Sequence, residues 1–255
     1  MRKLFRELLE SNKRFIGCYI MHPADAEIEV MKIAGYDFLI FDLEHDQLTF
    51  SEITRMIRTS DGCGMATMVR VPGVDEGYIK KALDIGASAI KVPGISTAEQ
   101  ARQVVSLCKY PPEGTRGVCP YVRCNGYGSD KLSCYERANR EVSISVIIEG
   151  IEGVKNCEEI IAVPGIDSIS VGNFDLSAVL GIPGQTTHPL VMEKVMEVAA
   201  MCAKYGKSCS VQVVSPEDAK QYQGVPGVSH YHTDMPLTIL YRACKELCEG
   251  LHANS

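Results

Sequence analysis

The stretch Phe38-Leu39-Ile40-Phe41-Asp42-Leu43-Glu44-His45-Asp46 decides how the rest of the chain is read. Four consecutive apolar residues run into a segment dominated by carboxylates and one imidazole. The apolar run is too short for a helix and matches a strand buried on both faces, as in a parallel sheet. The charged segment then lies at the carboxyl end of that strand, where α/β proteins gather their functional groups.

Working outward, the same pattern recurs along the chain. Strands are predicted at 15–21, 37–41, 65–71, 89–92, 143–149, 166–171, 208–214 and 228–233. Helical spacing of apolar residues, Pro near starts and Gly at stops place helices at 23–35, 49–59, 75–85, 97–108, 153–162, 175–180, 191–205, 216–222 and 236–250. An amphipathic helix is expected within 1–14. Eight strands alternating with helices imply parallel strands joined by right-handed crossovers. No linker interrupts the alternation, so residues 1–255 are expected to form a single (β/α)8 barrel domain. No Gly-x-Gly-x-x-Gly follows the first strand, which argues against a dinucleotide-binding sheet. The stretch 110–127 is rich in Pro, Gly and Arg, and its segment 111–117 reads either as a lid or as a solvent or subunit-contact loop.

Composition excludes several function classes. The 255 residues are 45% hydrophobic with a net charge of −6, and no Lys/Arg cluster suggests a nucleic-acid partner. No apolar run approaches the ~20 residues needed to span a bilayer. Eleven cysteines are scattered without Cys-x-x-Cys or zinc-like spacing, as expected for reduced thiols in a cytoplasmic protein.

A closed barrel would bring the carboxyl ends of its strands to one pocket. Strand two brings Asp42, Glu44 and His45, strand three Arg70, strand five Glu149, and strand six Gly172 and Asp175. Glu149 and Asp175 suit a divalent cation such as Mg²⁺, which takes one or two protein carboxylates and completes its shell with water and substrate; each also fits a plain capping role. The planar fork of Arg70 suits a carboxylate or an enolate oxygen, or a salt bridge with Asp42 or Glu44. His45 is the acid–base candidate, since an imidazole exchanges protons near neutral pH. The loop Gly172-Asn173-Phe174-Asp175 opens a helix whose amides could hold an anion. Lys91, near the end of strand four, raises the alternative of a Schiff base.

The ordered set of motifs resembles the pyruvate-dependent class II aldolases, the family that includes 4-hydroxy-2-oxoheptanedioate aldolase, 2-keto-3-deoxysugar-acid aldolases and, more distantly, the citrate lyase β subunit. The matching pieces include Phe41-Asp42-Leu43-Glu44-His45, Val69-Arg70-Val71-Pro72, Leu83-Asp84-Ile85-Gly86-Ala87, Tyr110-Pro111-Pro112-Glu113-Gly114-Thr115-Arg116-Gly117, Ile148-Glu149 and Asp175-Leu176-Ser177. The resemblance implies a (β/α)8 TIM barrel, a homo-oligomer and commonly a hexamer, with the C-terminal helix exchanged between subunits. It implies Mg²⁺, Mn²⁺ or Co²⁺ on Glu149 and Asp175, and pyruvate released from a small 2-oxo acid. Arg70 would stabilise the enolate, and His45 would move a proton, oriented by Asp42 or Asp84. The amides of Phe174 and Asp175 would hold the substrate carboxylate, and Tyr19 would stand near the aldehyde side. Ile147, Gly150 and Asn173 depart from the family pattern of Gln, Thr and Pro. Related alternatives are a citramalyl- or malyl-CoA lyase, with a groove built from Arg116, Arg123 and Arg140, an oxaloacetate decarboxylase, and a non-catalytic 2-oxo-acid-binding barrel.

Overall fold

Alternating apolar strands and amphipathic helices close on themselves in the computed structural model, which describes residues 2–11 and 13–253. In chain order the elements are α1 (Phe5–Glu10), β1 (Phe15–Ile20), α2 (Asp25–Ile33), β2 (Phe38–Asp42), α3 (Phe50–Gly62), β3 (Ala66–Arg70), α4 (Glu76–Asp84), β4 (Ala89–Val92), α5 (Ala98–Cys108) and α6 (Cys134–Glu141). They continue with β5 (Ser143–Ile148), α7 (Ile151–Lys155), α8 (Cys157–Ile161), β6 (Ser168–Val171), α9 (Asn173–Val179), α10 (Pro189–Lys204), β7 (Ser208–Gln212), α11 (Pro216–Lys220), β8 (Val228–Thr233) and α12 (Pro236–Ala253). The strands form a closed barrel in sequence order, every neighbouring pair parallel, with β8 beside β1. This is the (β/α)8 architecture that the alternation predicts.

Local chemistry fixes the helix starts. Thr49 with Glu52 and Thr97 with Gln100 form reciprocal capping boxes, and Asp75 accepts from the Tyr78 amide. Three readings of the sequence differ from the structure. The N-terminal helix is shorter than 1–14, and positions 1 and 12 of that range lie outside the described residues. The helix expected at 153–162 is two short helices broken at Asn156. The helix α6 was not foreseen, because its eight residues are mostly polar and offer few apolar positions from which to read a period.

Strand residues alternate between two layers. Leu39, Phe41, Val69, Ile90, Ile144, Val146 and Ile169 face outward against the helices. Phe15, Phe38, Ile40, Ala66, Met68 and Ala89 face into the barrel, where Phe5 of α1 joins them and closes the amino end. Phe5 meets Phe15 and Phe38 edge-on at 5.5 and 5.1 Å, and Phe15 stacks on His230 at 4.6 Å.

The crossover helices run back against the strands, so their C-termini lie at the amino end of the barrel. The segment between α5 and β5 therefore sits at that end. There Arg116 is 3% exposed and donates to Asp84 at 2.6 Å, while Asn139 clasps the backbone of Tyr110 at 2.7 and 3.0 Å. The lid reading of 111–117 is thus replaced by a fastened segment at the barrel's amino end.

Gly17 of β1 makes the aromatic plug possible: a Cβ there would stand 2.2 Å from the Phe38 ring. Both residues belong to paired central strands, so neither backbone can retreat. Gly17→Ala is expected to lower stability by about 1–3 kcal/mol through overpacking, read as a lower urea midpoint with an unchanged slope.

Candidate active site

At the carboxyl end of the barrel a cavity of about 670 Å³ opens between β1, β3, β5, β6, β7 and β8. Tyr19, His45, Arg70, Glu149, Gly172, Phe174 and Asp175 all line it, gathered from positions far apart in sequence. Asp42 lies just beneath, fully buried. Asp42 and Arg70 are register partners on β2 and β3. Arg70 donates from Nε and a terminal nitrogen to the two Asp42 oxygens at 2.8 and 2.5 Å. Its other terminal nitrogen is 3.0 Å from Glu44, and its guanidinium lies 4.7 Å from the centroid of the Tyr19 ring. Burial alone would lower the Arg70 pKa, but the Asp42 hydrogen bonds and surrounding negative groups raise it. Arg70 is therefore a fixed cation.

The carboxylates behave differently. Glu149 follows β5 and accepts from the Gly94 amide at 2.6 Å. Gly172, the N-cap of α9, lets the chain pass close by, since a Cβ there would come within 2.6 Å of a Glu149 oxygen. Asp175 lies in the first turn of α9, not at its cap. Burial, followed by repulsion from Asp175, pushes Glu149 up to about 7. Glu44 is also raised, first by burial and with contributions from Asp42 and Asp175. Glu149 and Asp175 line one pocket, and a cation between them would relieve their repulsion. Among the described residues no cluster of three or more His, Cys, Asp or Glu sits at ligating geometry. A two-carboxylate donor set fits a hard, hydrated divalent ion completed by water and substrate oxygens, and does not fit a closed structural metal site.

Two sequence readings need correction. His45 is not oriented by Asp42 or Asp84. The Asp42 carboxylate is occupied by Arg70 and by the Glu44 amide at 3.0 Å, leaving His45 3.4 Å from Glu44. Asp84 ends α4 at the opposite end of the barrel and binds Arg116. Glu44, which carried no role in the sequence reading, therefore bridges Arg70 and His45. Of the candidates for a CoA groove, Arg116 and Arg123 pair instead with Asp84 and Asp61, while Arg140 is exposed on α6 with only a 3.9 Å approach to Glu136.

The structure also adds residues. Ser170, Gln212 and His232 line the pocket. His232 meets the Tyr19 ring edge-on at 5.5 Å, and burial holds its pKa well below the usual imidazole range. The alternation His230-Tyr231-His232 was the available signal, since residues two apart on a strand share a face. A second cavity of similar volume opens at the amino end, lined by Arg6, Lys13, Arg14, Lys207 and Asp167 among others. It brings no imidazole together with paired carboxylates.

Comparison with known proteins places the barrel among aldolases. The family model for HpcH/HpaI aldolase/citrate lyase matches residues 16–225. The chain is 36% identical over 218 residues to a 5-keto-4-deoxy-D-glucarate aldolase of Klebsiella pneumoniae subsp. pneumoniae, covering 86% of this chain and 85% of that protein. It is 34% identical over 215 residues to a 2-dehydro-3,6-dideoxy-6-sulfogluconate aldolase of Pseudomonas putida, covering 84% of each. Among solved structures, an HpcH/HpaI aldolase of Desulfitobacterium hafniense superposes with a TM-score of 0.91 at 28% identity, covering 98% of this chain and 96% of that one.

The raised Glu149 pKa has a thermodynamic sign. A carboxyl titrating near 7 in the fold and near 4.5 when unfolded costs stability as pH rises past 4.5, and the full cost is present above 7. Glu149→Gln removes that cost. Without divalent metal, the variant is expected to be more stable than wild type at alkaline pH by on the order of 1 kcal/mol, a figure discounted because the group is part-exposed. The gain should fade toward acid pH. Added Mg²⁺ should raise the melting temperature of wild type and leave the variant unmoved; thermal melts at several pH values check all three outcomes.

Proposed function

The chain belongs to the HpcH/HpaI aldolase/citrate lyase family and is a carbon–carbon lyase, and from that premise we propose that it cleaves a 4-hydroxy-2-oxo acid to pyruvate and an aldehyde. The observation that carries this reading is the pocket itself, where Glu149 and Asp175 share a wall with Arg70 and His45. Glu149 and Asp175 are the residues to hold Mg²⁺, Mn²⁺ or Co²⁺. Such an ion would serve as a Lewis acid for the 2-oxo group of the substrate.

The protein groups account for the remaining work. Breaking the C3–C4 bond sends its electrons onto the oxo oxygen, and Arg70, a cation clamped in place by Asp42, faces that developing charge. The proton of the 4-hydroxyl must leave as the aldehyde forms. His45, half exposed at the rim and 3.4 Å from Glu44, is placed to take it. The first-turn amides of Phe174 and Asp175 have no acceptor within the helix and suit the substrate carboxylate. Tyr19 and the exposed Phe174 flank the side left for the aldehyde. Decarboxylation of oxaloacetate makes the same enolate and is expected as a side activity. The paired state of Arg116 and Arg123 gives no support to a CoA thioester substrate.

The reading takes residues 1–255 as one barrel domain acting in the cytoplasm; the eleven cysteines, all unpaired, suit a reducing compartment. No described helix is long and apolar enough to cross a membrane. The reading also includes a homo-oligomer, with a hexamer as its expected size. α12 supports it: none of its residues is buried, and Leu237, Leu240, Tyr241, Leu247 and Leu251 lie open along it. Such a stripe suits docking onto another subunit.

Three measurements test the proposal. Pyruvate release from a panel of 4-hydroxy-2-oxo acids should stop on chelation and return with Mg²⁺, Mn²⁺ or Co²⁺; release that survives chelation would sink the metal-dependent mechanism. Glu149→Ala should abolish divalent-cation binding by calorimetry together with activity. Arg70→Lys, which keeps a charge for Asp42 but loses the fork, should bind the cation normally and lower kcat about 10²–10³-fold. For the assembly, Leu240→Glu with Leu247→Glu should shift the mass by light scattering to that of a monomer.

A further inference from the structure

The inside of the barrel beneath the pocket is polar on one side. Because Ile144, Val146, Ile169 and Cys209 face the outer helices, the serines that alternate with them on β5, β6 and β7 face inward. Bulky branched side chains ordinarily fill such interiors. Serine fills far less volume and brings a hydroxyl that needs a partner. Ser170 and Ser210 bond each other at 2.8 Å, and Ser210 reaches His232 Nδ1 at 3.3 Å. The Oγ atoms of Ser143, Ser145 and Ser168 are buried with no partner at all. Ser145 is the register partner of Lys91 on one side and of Ser168 on the other. Lys91 is 1% exposed, and its Nζ donates to the Tyr19 hydroxyl at 3.3 Å. Unpartnered buried hydroxyls and an ammonium with bonding capacity to spare together describe a place for ordered water.

We propose that the serine-lined interior holds ordered water, and that this water, Lys91 and Tyr19 form a proton relay into the pocket, with Tyr19 Oη as the end that meets the substrate. The inference rests on the aldolase reading, because cleavage leaves an enolate whose methylene carbon must gain a proton. In that step a C–H bond forms as the Tyr19 O–H bond breaks. Tyr19 recovers a proton from the Lys91 ammonium, and the amine is refilled through the interior water from solvent. The reverse direction carries a proton from the pyruvate methyl group to the neutral amine. No electrons change hands beyond the bonds named.

The surroundings suit Lys91 to this role. Tyr19 of β1, Asp42 and Arg70 at the ends of β2 and β3, Glu149 after β5, Cys209 of β7, and His230 and His232 of β8 are the titratable or charged groups around it. Burial, then the Arg70 charge, brings Lys91 down to about 7, against the opposing pull of Asp42 and Glu149. Both histidines are held well below their usual range, first by burial and then by Lys91. Among the basic groups of the chamber, Lys91 is therefore the one that exchanges a proton near neutral pH, with Glu149 above it brought into the same range. Lys91 acts through Tyr19 and is a positioning residue, since it does not line the pocket.

Two experiments decide the matter. A crystal structure should show water within hydrogen-bond reach of Ser145 Oγ, Ser168 Oγ and Lys91 Nζ; a dry interior overturns the relay whatever reaction the enzyme performs. Proton NMR of pyruvate in D₂O, with Mg²⁺ supplied, reports exchange of the methyl protons. Wild-type exchange should rise with pH through the Lys91 value near 7, because the neutral amine is the acceptor. Lys91→Met, which keeps an unbranched chain, should slow exchange about tenfold or more and flatten that rise, with pyruvate saturation within about twofold of wild type. Tyr19→Phe removes only the hydroxyl and should do the same with Lys91 intact, so it decides alone if the lysine variant fails to fold. A pH rise preserved in Tyr19→Phe overturns the relay. Absence of any exchange in wild type, with water present inside, strikes the aldolase reading and removes the relay with it.

Discussion

Asp42 is a fully buried carboxylate, and the active end of the barrel is arranged around the fact that Arg70 alone answers it with a two-pronged ion pair. Taking both charges out of water is expensive, and the attraction repays that cost only with good geometry and satisfied hydrogen bonds. Here β2 and β3 place the two residues in direct register, and the Glu44 amide takes a further lone pair of Asp42. The pair then propagates outward. Two of the guanidinium nitrogens point down to Asp42, so the third faces Glu44, and the planar face lies over Tyr19. Glu44 in turn reaches His45, and the Arg70 charge adds to burial in pushing Lys91 toward its neutral form, against the pull of Asp42. One buried pair thus fixes the direction of a catalytic-type cation and the electrostatics of its neighbours.

The barrel was legible because its signals are local. Short apolar runs, helical spacing and glycine stops each report on a few adjacent residues, and their eightfold alternation leaves few topologies. The residues at the strand ends were legible for the same reason: once the strands are found, closure brings Arg70, His45, Glu149 and Asp175 to one end by rule. Partner choice was legible only in part. The sequence offered Asp42 or Glu44 as ion-pair partners of Arg70, but Asp84 and Asp42 looked equally able to orient His45, and nothing in the sequence tells that Asp84 is taken by Arg116. The segment before β5 misled in a related way. Its prolines, glycines and arginines look like a free loop, yet Tyr110, Arg116 and Asn139 are buried and tie it down.

The serine pattern shows a subtler limit. Ser143-Ile144-Ser145, Ser168-Ile169-Ser170 and Ser208-Cys209-Ser210 have the period of a half-solvated strand. In an open sheet those serines would face water and need no explanation. Closure reverses the meaning, because the face opposite the helices becomes the inside of the barrel. The same residues that satisfy a simple amphipathic rule then become buried polar groups that must be accounted for. Local reading found the strands and lost the chemistry of their inner face.

The charge balance of the pocket bears on the proposed cation and substrate. Glu149, Asp175 and Asp234 line the pocket, with Asp42 and Glu44 ion-paired beside them, while Arg70 is the one fixed cation among the sequence-predicted residues there. Asp42 consumes most of that positive charge, so the remaining carboxyls repel each other, and the Glu149 pKa moves upward as a result of burial and that repulsion. A 2-oxo acid is itself an anion and would be repelled by this wall. The conflict disappears if the pocket takes up a divalent cation with the substrate, because the ion neutralises Glu149 and Asp175 and presents positive charge to the oxo and carboxylate oxygens. An acidic pocket with an anionic substrate is thus consistent when the cation is counted as part of the site.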